Sequence, residues 1–370
     1  MNEAEHIHTI ALMLVPGIGV VRSRSLIDAM GSAERVFLNR REIPDALPGV
    51  SPRIVDLLNC PQAIARAEKE YEFVRKNKIR CLAINDEDYP SRLRECDDAP
   101  VILFFKGNTD LNVLRVVNMV GTRKATDYGK QICNRFLQEM KELCPDILVV
   151  SGLAYGIDIQ AHHAALRNNI STVGILAHGL DRIYPPDHRN TAAKMIEKGG
   201  LLTEFITETS PDRYNFVSRN RIVAGMSDAT IVVESAVKGG SLITASLARG
   251  YHRDCFAFPG RHTDTQSQGC NRLIQNNEAA LIQSAEDLVM AMRWNDVQKK
   301  PKNVQPLLFP ELTEEEEAIV ALISKHEKMH INELVAAAGI PVYRMSVTLL
   351  ELEMKRVLQA LPGNVYRLIC

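Results

Sequence analysis

Four short runs hold most of the residues in this chain that could do chemistry. Gly121-Thr122-Arg123 sets a guanidinium directly after a small, hydroxyl-bearing turn, and Ser151-Gly152 leads through Gly156 to Asp158 and His162. Arg219-Asn220-Arg221 follows, and then Lys238-Gly239-Gly240-Ser241 with Thr244 one helical turn on. Guanidinium groups grip phosphates through bidentate, charge-assisted forks. Glycines let a ligand approach the backbone, and the unpaired N–H groups at a helix start attract anions. The shared chemistry is anion binding, above all of phosphate, in a basic pocket lined by hydroxyls and glycines. Plainer uses compete: Arg123 can form a surface salt bridge. Arg219 shares a helical face with Ile222 while Arg221 points elsewhere, so one arginine can reach a ligand while the other braces loops.

Catalytic and metal chemistry find less support. Asp158 and His162 are four apart, so one helical face presents both. They fit an acid/base pair, half a metal site, or a helix turn in which the aspartate braces the histidine. No cysteine or second acid is spaced to complete a metal shell. No nucleophile–base–orienter set is recognisable, nor a nucleophile elbow. The dinucleotide fingerprint and the P-loop pattern are both missing. No catalytic residue, metal or cofactor is therefore expected. Arg182 and Tyr184 sit in a polar loop stiffened by Pro185-Pro186. There Tyr184 can stack on a base or pack on the prolines.

These runs all fall where a short Val/Ile-rich segment gives way to a helical pattern. Strands are expected at 116–120, 147–150, 172–176, 201–203, 229–233 and 255–258, the rhythm of a doubly wound, mainly parallel sheet. In such a sheet polar groups collect at the crevice beyond the strand ends. Apolar runs near residues 81–84 and 101–105 read as a lead-in packed beside the main sheet.

A length of 370 residues suits two or three domains. The formal net charge of −1 provides no global basic field, so any nucleic-acid role needs locally gathered Arg and Lys. The cysteines include no C-x-x-C pair and read as scattered reduced thiols. The start of the chain lacks a secretory pattern and no run reaches membrane-spanning length, so a cytoplasmic protein without membrane insertion is expected. Residues 1–76 read as a helical domain. Its Pro16-Gly17-Ile18-Gly19 hairpin is followed by a helix from Val20 or Val21, and Pro48-Gly49 repeats the turn. Such hairpins can aim backbone N–H groups at a DNA phosphate, with Arg22, Arg24 and Arg53 nearby, or merely shape helical packing. Residues 77–294 form the core, and 295–311 are polar, proline-containing and read as a linker. Residues 312–370 read as three helices and a strand pair around Pro362-Gly363-Asn364, a winged-helix module. Its third helix carries Arg344, Lys355 and Arg356 but also Glu351 and Glu353, so DNA and protein contact are both open.

With these motifs in order, the sequence resembles the DNA-processing protein A (DprA/Smf) family over nearly its whole length. The segments are VGTRKATDYG (120–129), SGLAYGIDIQAHHAAL (151–166), GLDRIYPPDHR (179–189), GLLTEF (200–205), FVSRNRIVAGMS (216–227), VVESAVKGGSLITASLA (232–248) and AFPG (257–260). The resemblance implies an extended Rossmann-like core between a helix-hairpin-helix/SAM-like module and a winged helix. It implies a cytoplasmic protein that binds single-stranded DNA and forms a homodimer through the core. It would protect incoming DNA and load the RecA recombinase onto it in natural transformation. The family's phosphate pocket maps onto Arg123, onto Ser151 through Asp158 and onto Arg219 through Arg221. Gly239-Gly240 stands where relatives often have Ser-Gly, losing one hydroxyl. A rival expectation is a Rossmann-like hydrolase acting on a nucleoside monophosphate, with Glu234 ahead of the glycine turn. A third is a scaffold in which these turns serve packing alone.

Overall fold

The computed structural model describes residues 3–294 and 312–368, apart from 52, 325, 327, 356 and 362. They belong to two compact units, Met1–Arg293 and Trp294–Cys370. The expected linker, 295–311, lies outside the described residues, as do Arg356 and Pro362.

Nine strands build the sheet of the first unit. They are β1 (Arg80–Ala83), β2 (Ile102–Gly107), β3 (Val116–Gly121), β4 (Leu148–Gly152), β5 (Ser171–Ile175), β6 (Gly199–Thr203), β7 (Ala229–Glu234), β8 (Asp254–Ala257) and β9 (Ala280–Leu281). Their spatial order is β1-β2-β6-β5-β4-β3-β7-β8-β9. All pairings among β3 to β9 are parallel. The chain lays β3 to β6 across the sheet in one direction, then returns to set β7 on the other side of β3. That reversal is a topological switch point, beyond which a crevice must open because the flanking loops diverge to opposite faces.

The lead-in strands differ from expectation. Rather than packing beside the sheet, β2 pairs antiparallel with β6, and β1 with β2. The pairing covers the β6 edge, which would otherwise expose a row of unpaired backbone groups. Strand β2 is apolar on both faces because both are covered. Ile102 and Phe104 join the core of the N-terminal helices, whereas Leu103 and Phe105 join the core beneath the parallel strands. Period-two alternation thus stitches two hydrophobic cores through one strand.

The N-terminal helices include Glu3–Leu14, Val20–Met30, Ala33–Leu38 and Pro61–Lys76. Both proline-glycine turns hold their glycine in the left-handed region, Gly17 at φ +86° and Gly49 at φ +89°. A side chain there would be strained. Ile10, Leu26, Val36 and Ala67 share a core with β2, so the expected boundary near residue 76 falls inside one compact unit. Glu70 adds a polar tie: it accepts the Thr207 amide at 3.0 Å and Arg66 at 2.9 Å.

The second unit contains helices Glu314–Ile323, Ile331–Ala338 and Val342–Met354 and strands β10 (Met329–His330), β11 (Leu358–Leu361) and β12 (Val365–Leu368). The strands lie in the order β10-β12-β11. Ile319, Leu334, Leu349 and Leu358 form its core. This is a winged-helix-like arrangement, with β10 as a strand that the sequence reading lacked. Thr313 and Glu316 form a capping box: the Glu316 amide donates to Oγ1 of Thr313 at 3.3 Å, and the Thr313 amide to the Glu316 carboxylate at 2.7 Å.

Helix Asp127–Leu143 is anchored by Phe136, which meets the Phe258 ring edge-on at a centroid distance of 5.8 Å. Phe136 is fully buried. Phe136→Ala should therefore cost about 3–5 kcal/mol of stability, read as a lower urea midpoint.

Candidate functional site

The crevice at the switch point has a volume of about 580 Å³. Its walls come from the ends of β3 and β4, the face of helix Arg213–Gly225 and the start of helix Gly240–Gly250. It holds four cationic side chains, Arg123, Arg213, Arg219 and Lys238, against two carboxylates, Asp158 and Asp212.

Two glycines make the close approaches. Gly156 has φ +82°, and a Cβ there would lie 2.1 Å from the Thr122 carbonyl oxygen. That carbonyl accepts the Ile157 amide at 3.1 Å, which joins the β3 turn to the next helix start. A Cβ on Gly152 would overlap both Nη1 of Arg219, at 2.2 Å, and Oδ2 of Asp158, at 2.3 Å. The arginine and the aspartate therefore face each other across bare backbone.

Arg219 is 4% exposed. Its Nη1 donates to the Ile175 carbonyl, and its buried Nε has no partner among the described residues. Burial lowers its pKa while Asp158 acts the other way. Burial likewise pushes the Asp158 carboxyl up, opposed by Arg219, the Ala154 amide and Arg123. Arginine keeps its proton at any accessible pH, so Arg219 is a fixed positive charge in the crevice floor, with the Asp158 carboxyl facing it.

Arg123 is exposed at the rim, with its guanidinium over the Phe216 ring, 5.2 Å from the centroid. Phe216 lies 6.0 Å from the Tyr184 ring, and Tyr184 is 43% exposed. A cation and two aromatic rings thus line up along one lip. Thr122 steadies the turn by accepting the Lys124 amide at 3.1 Å. Lys238, Gly240, Ser241 and Thr244 line the opposite wall, and Asn220 lines the helix side. Helix Gly240–Gly250 opens there with N–H groups that lack preceding helical acceptors.

Other expected members stand elsewhere. Arg221 is turned away from the crevice: it pairs with the buried Glu204 and donates to the Asp98 carbonyl at 2.6 Å. It braces, as one of the two arginines was expected to do. The Ser151 hydroxyl donates to the Met119 carbonyl at 2.6 Å, which commits it to strand β3 rather than to the crevice. His162 and Asp158 do not pair. The ring of His162 reaches the Gly152 carbonyl through Nε2 at 2.6 Å and the Thr172 hydroxyl through Nδ1 at 2.7 Å. A carbonyl only accepts, so Nε2 carries the proton. With both nitrogens committed, His162 has none left for a metal or for proton transfer. Among the described residues no group of three or more His, Cys, Asp and Glu could hold a metal ion.

Arg182 forms an exposed pair with Asp181 at 2.8 Å. In the helical region Arg22 donates to the Gly17 carbonyl of its own hairpin at 3.1 Å, and Arg24 to the Cys96 carbonyl at 2.7 Å. Gly19 caps helix Val20–Met30, and Arg53 is exposed. In the second unit Arg344 pairs with Glu315 and Lys355 with Glu316, each at 2.7 Å. The sequence reading did not single out Arg213 or Phe216. Both belong to the run that delivers Arg219, and helical spacing from Arg219 back to Phe216 is the signal that could have found the ring.

Fold and site together define a class: a mixed α/β protein with an N-terminal helical region, a winged-helix-like C-terminal unit and a cationic crevice where the sheet reverses. The chain belongs to the DNA recombination-mediator protein A (DprA/Smf) family, whose model matches residues 80–293, with the DprA winged helix domain matched over residues 305–364. DNA processing protein DprA of Bacillus subtilis is 39% identical over 226 residues, 60% of this chain and 75% of that protein. The X-ray structure of DNA processing protein A from Streptococcus pneumoniae has a TM-score of 0.58 and 33% identity, covering 74% of this chain and 98% of that one. DNA processing protein A from Helicobacter pylori, described for a unique single-stranded DNA binding mode, has a TM-score of 0.53 and 28% identity. That match covers 59% of this chain and 97% of the other.

Two stability measurements separate bracing from binding. Arg221→Ala leaves Glu204 buried without its partner and should cost about 3–5 kcal/mol, seen in urea unfolding. His162, fully enclosed, has its pKa lowered from 6.5 to about 4, first by burial. The unfolded chain then binds the extra proton between these values, so stability falls as pH drops from 6.5 towards 4. The loss attributable to this ring should approach about 3 kcal/mol, and His162→Gln should flatten that part of the stability–pH curve.

Proposed function

We propose that the chain binds single-stranded DNA through backbone phosphates seated in the switch-point crevice, and that it serves as a recombination mediator. The observation that carries the reading is the buried Arg219 on the floor with Arg123 above it at the rim. Lys238 and a helix N-terminus stand opposite. Anions suit such a site because the Arg219 charge is fixed and itself held out of water, where its field is poorly screened. Phe216 and Tyr184 offer a stacking surface beside the phosphate, which favours unpaired bases over a duplex. In this reading the protein is cytoplasmic, pairs through its Rossmann-like core, and holds strands for transfer to RecA during DNA uptake. A pair of such crevices would raise the effective concentration of two tracts. The helix-hairpin-helix turns at Gly17 and Gly49 are secondary contacts.

The hydrolase reading loses its acid. Glu234 is 2% exposed, and its carboxylate accepts both the amide and the hydroxyl of Thr126, capping helix Asp127–Leu143 instead of facing the crevice.

Titrating single-stranded oligonucleotides at several salt concentrations tests the proposal. Arg123→Ala should weaken binding about tenfold and make the slope of log affinity against log salt shallower by about 0.7. Phe216→Ala should cost about 1–3 kcal/mol of binding with the slope retained. Unchanged affinity and slope in Arg123→Ala would overturn the phosphate assignment.

A further inference from the structure

The third helix of the winged-helix-like unit, Val342–Met354, buries Met345, Leu349 and Leu352 against its own core. Its opposite side is not polar. Tyr343, Val347, Leu350 and Met354 recur at i, i+4, i+7 and i+11 and are 74%, 55%, 57% and 78% exposed. At about 100° per residue they form a narrow seam pointing straight away from the core. Arg344 and Glu351 flank one side of the seam, and Glu353 the other.

We propose that this seam pairs with the same seam of a second copy, antiparallel, about a two-fold axis between Val347 and Leu350. The axis sets Tyr343 against Met354 of the second copy and Val347 against its Leu350, so the apolar contacts repeat by symmetry. In an antiparallel pair each flank meets its own counterpart reversed. Arg344 therefore faces Glu351 of the second copy, and the reciprocal contact forms as well. A parallel pair would bring Glu351 level with Glu353 of the second copy, like against like, and is disfavoured. Arg344 already contacts Glu315, but both side chains are more than 40% exposed, and such a pair is easily shared. Duplex DNA fits the seam poorly, because its centre is apolar and its flanks are mainly acidic. The interface is small, on the order of 1,200 Å² in total, which implies weak, concentration-dependent association. The seam shares no residue with the crevice, and so the proposal does not depend on the DNA-binding reading.

Sedimentation velocity of the full chain over a range of concentrations tests it, following growth beyond the smallest species present. Leu350→Gln should lower the association constant for that growth more than about tenfold. Arg344→Glu and Glu351→Arg should each lower it about three- to tenfold, and the combined variant should recover it to within about twofold. Recovery excludes misfolding as the cause of the single-variant losses. Identical mass distributions for wild type and Leu350→Gln would overturn the proposal, as would failure of the combined variant to recover. Loss of duplex DNA binding in Leu350→Gln with self-association intact would overturn it too.

Discussion

A guanidinium held out of water has to be answered by its surroundings, and the crevice is arranged around that demand at Arg219. One of its nitrogens is satisfied by the Ile175 carbonyl at the end of β5, while Nε has no partner among the described residues. Asp158 faces it across Gly152, yet burial disfavours the charge of that carboxyl as well. Two buried opposite charges roughly offset one another, and their attraction repays desolvation only where geometry and hydrogen bonding are complete. Here they are not complete. On the proposed reading, a phosphate at the rim would add negative charge on several oxygens beside this guanidinium.

The same demand explains the rigidity of the β4 turn. Arg219 can reach its position only because residue 152 has no side chain, and Asp158 only because Gly156 turns the chain through a left-handed conformation. His162 then donates to the Gly152 carbonyl and anchors to Thr172 on the neighbouring strand. A carbonyl left pointing into the crevice would oppose an incoming anion. In the structure that acceptor is occupied by Nε2 of His162. On the proposed reading, little ordering entropy would remain to be lost on phosphate binding.

Much of this plan was legible in residue order, because it rests on local chemistry. The helix after the first proline-glycine hairpin begins at Val20, one of the two starts expected, and parallel strands end at the glycine and hydroxyl turns. Arg123, Gly152, Arg219 and the Lys238–Ser241 turn do converge. What escaped depends on tertiary partners. The four-residue spacing of Asp158 and His162 places them on one helical face, but the ring is claimed by Thr172 from β5, about which helical spacing is silent. The Ser151 hydroxyl looked available until β3 laid the Met119 carbonyl beside it. Strand β2 is apolar on both faces whether it runs parallel or antiparallel, so its direction could not be read from its composition.

A net charge of −1 is by itself a poor basis for holding a polyanion, yet the average conceals a division of labour. Several acids are spent on the fold: Glu234 caps through Thr126, Glu204 holds Arg221, Glu70 holds Thr207, and Asp228 accepts Arg92 and the Val116 amide. Around the crevice cations outnumber carboxylates. At physiological salt, charges separated by more than about 8 Å are largely screened from one another, so a phosphate in the crevice responds to the local excess and hardly at all to the chain's total. The absence of a global basic field also limits nonspecific accumulation on anionic surfaces. On the proposed reading, a strand would be gripped by short-range contacts at this one place rather than by a diffuse field.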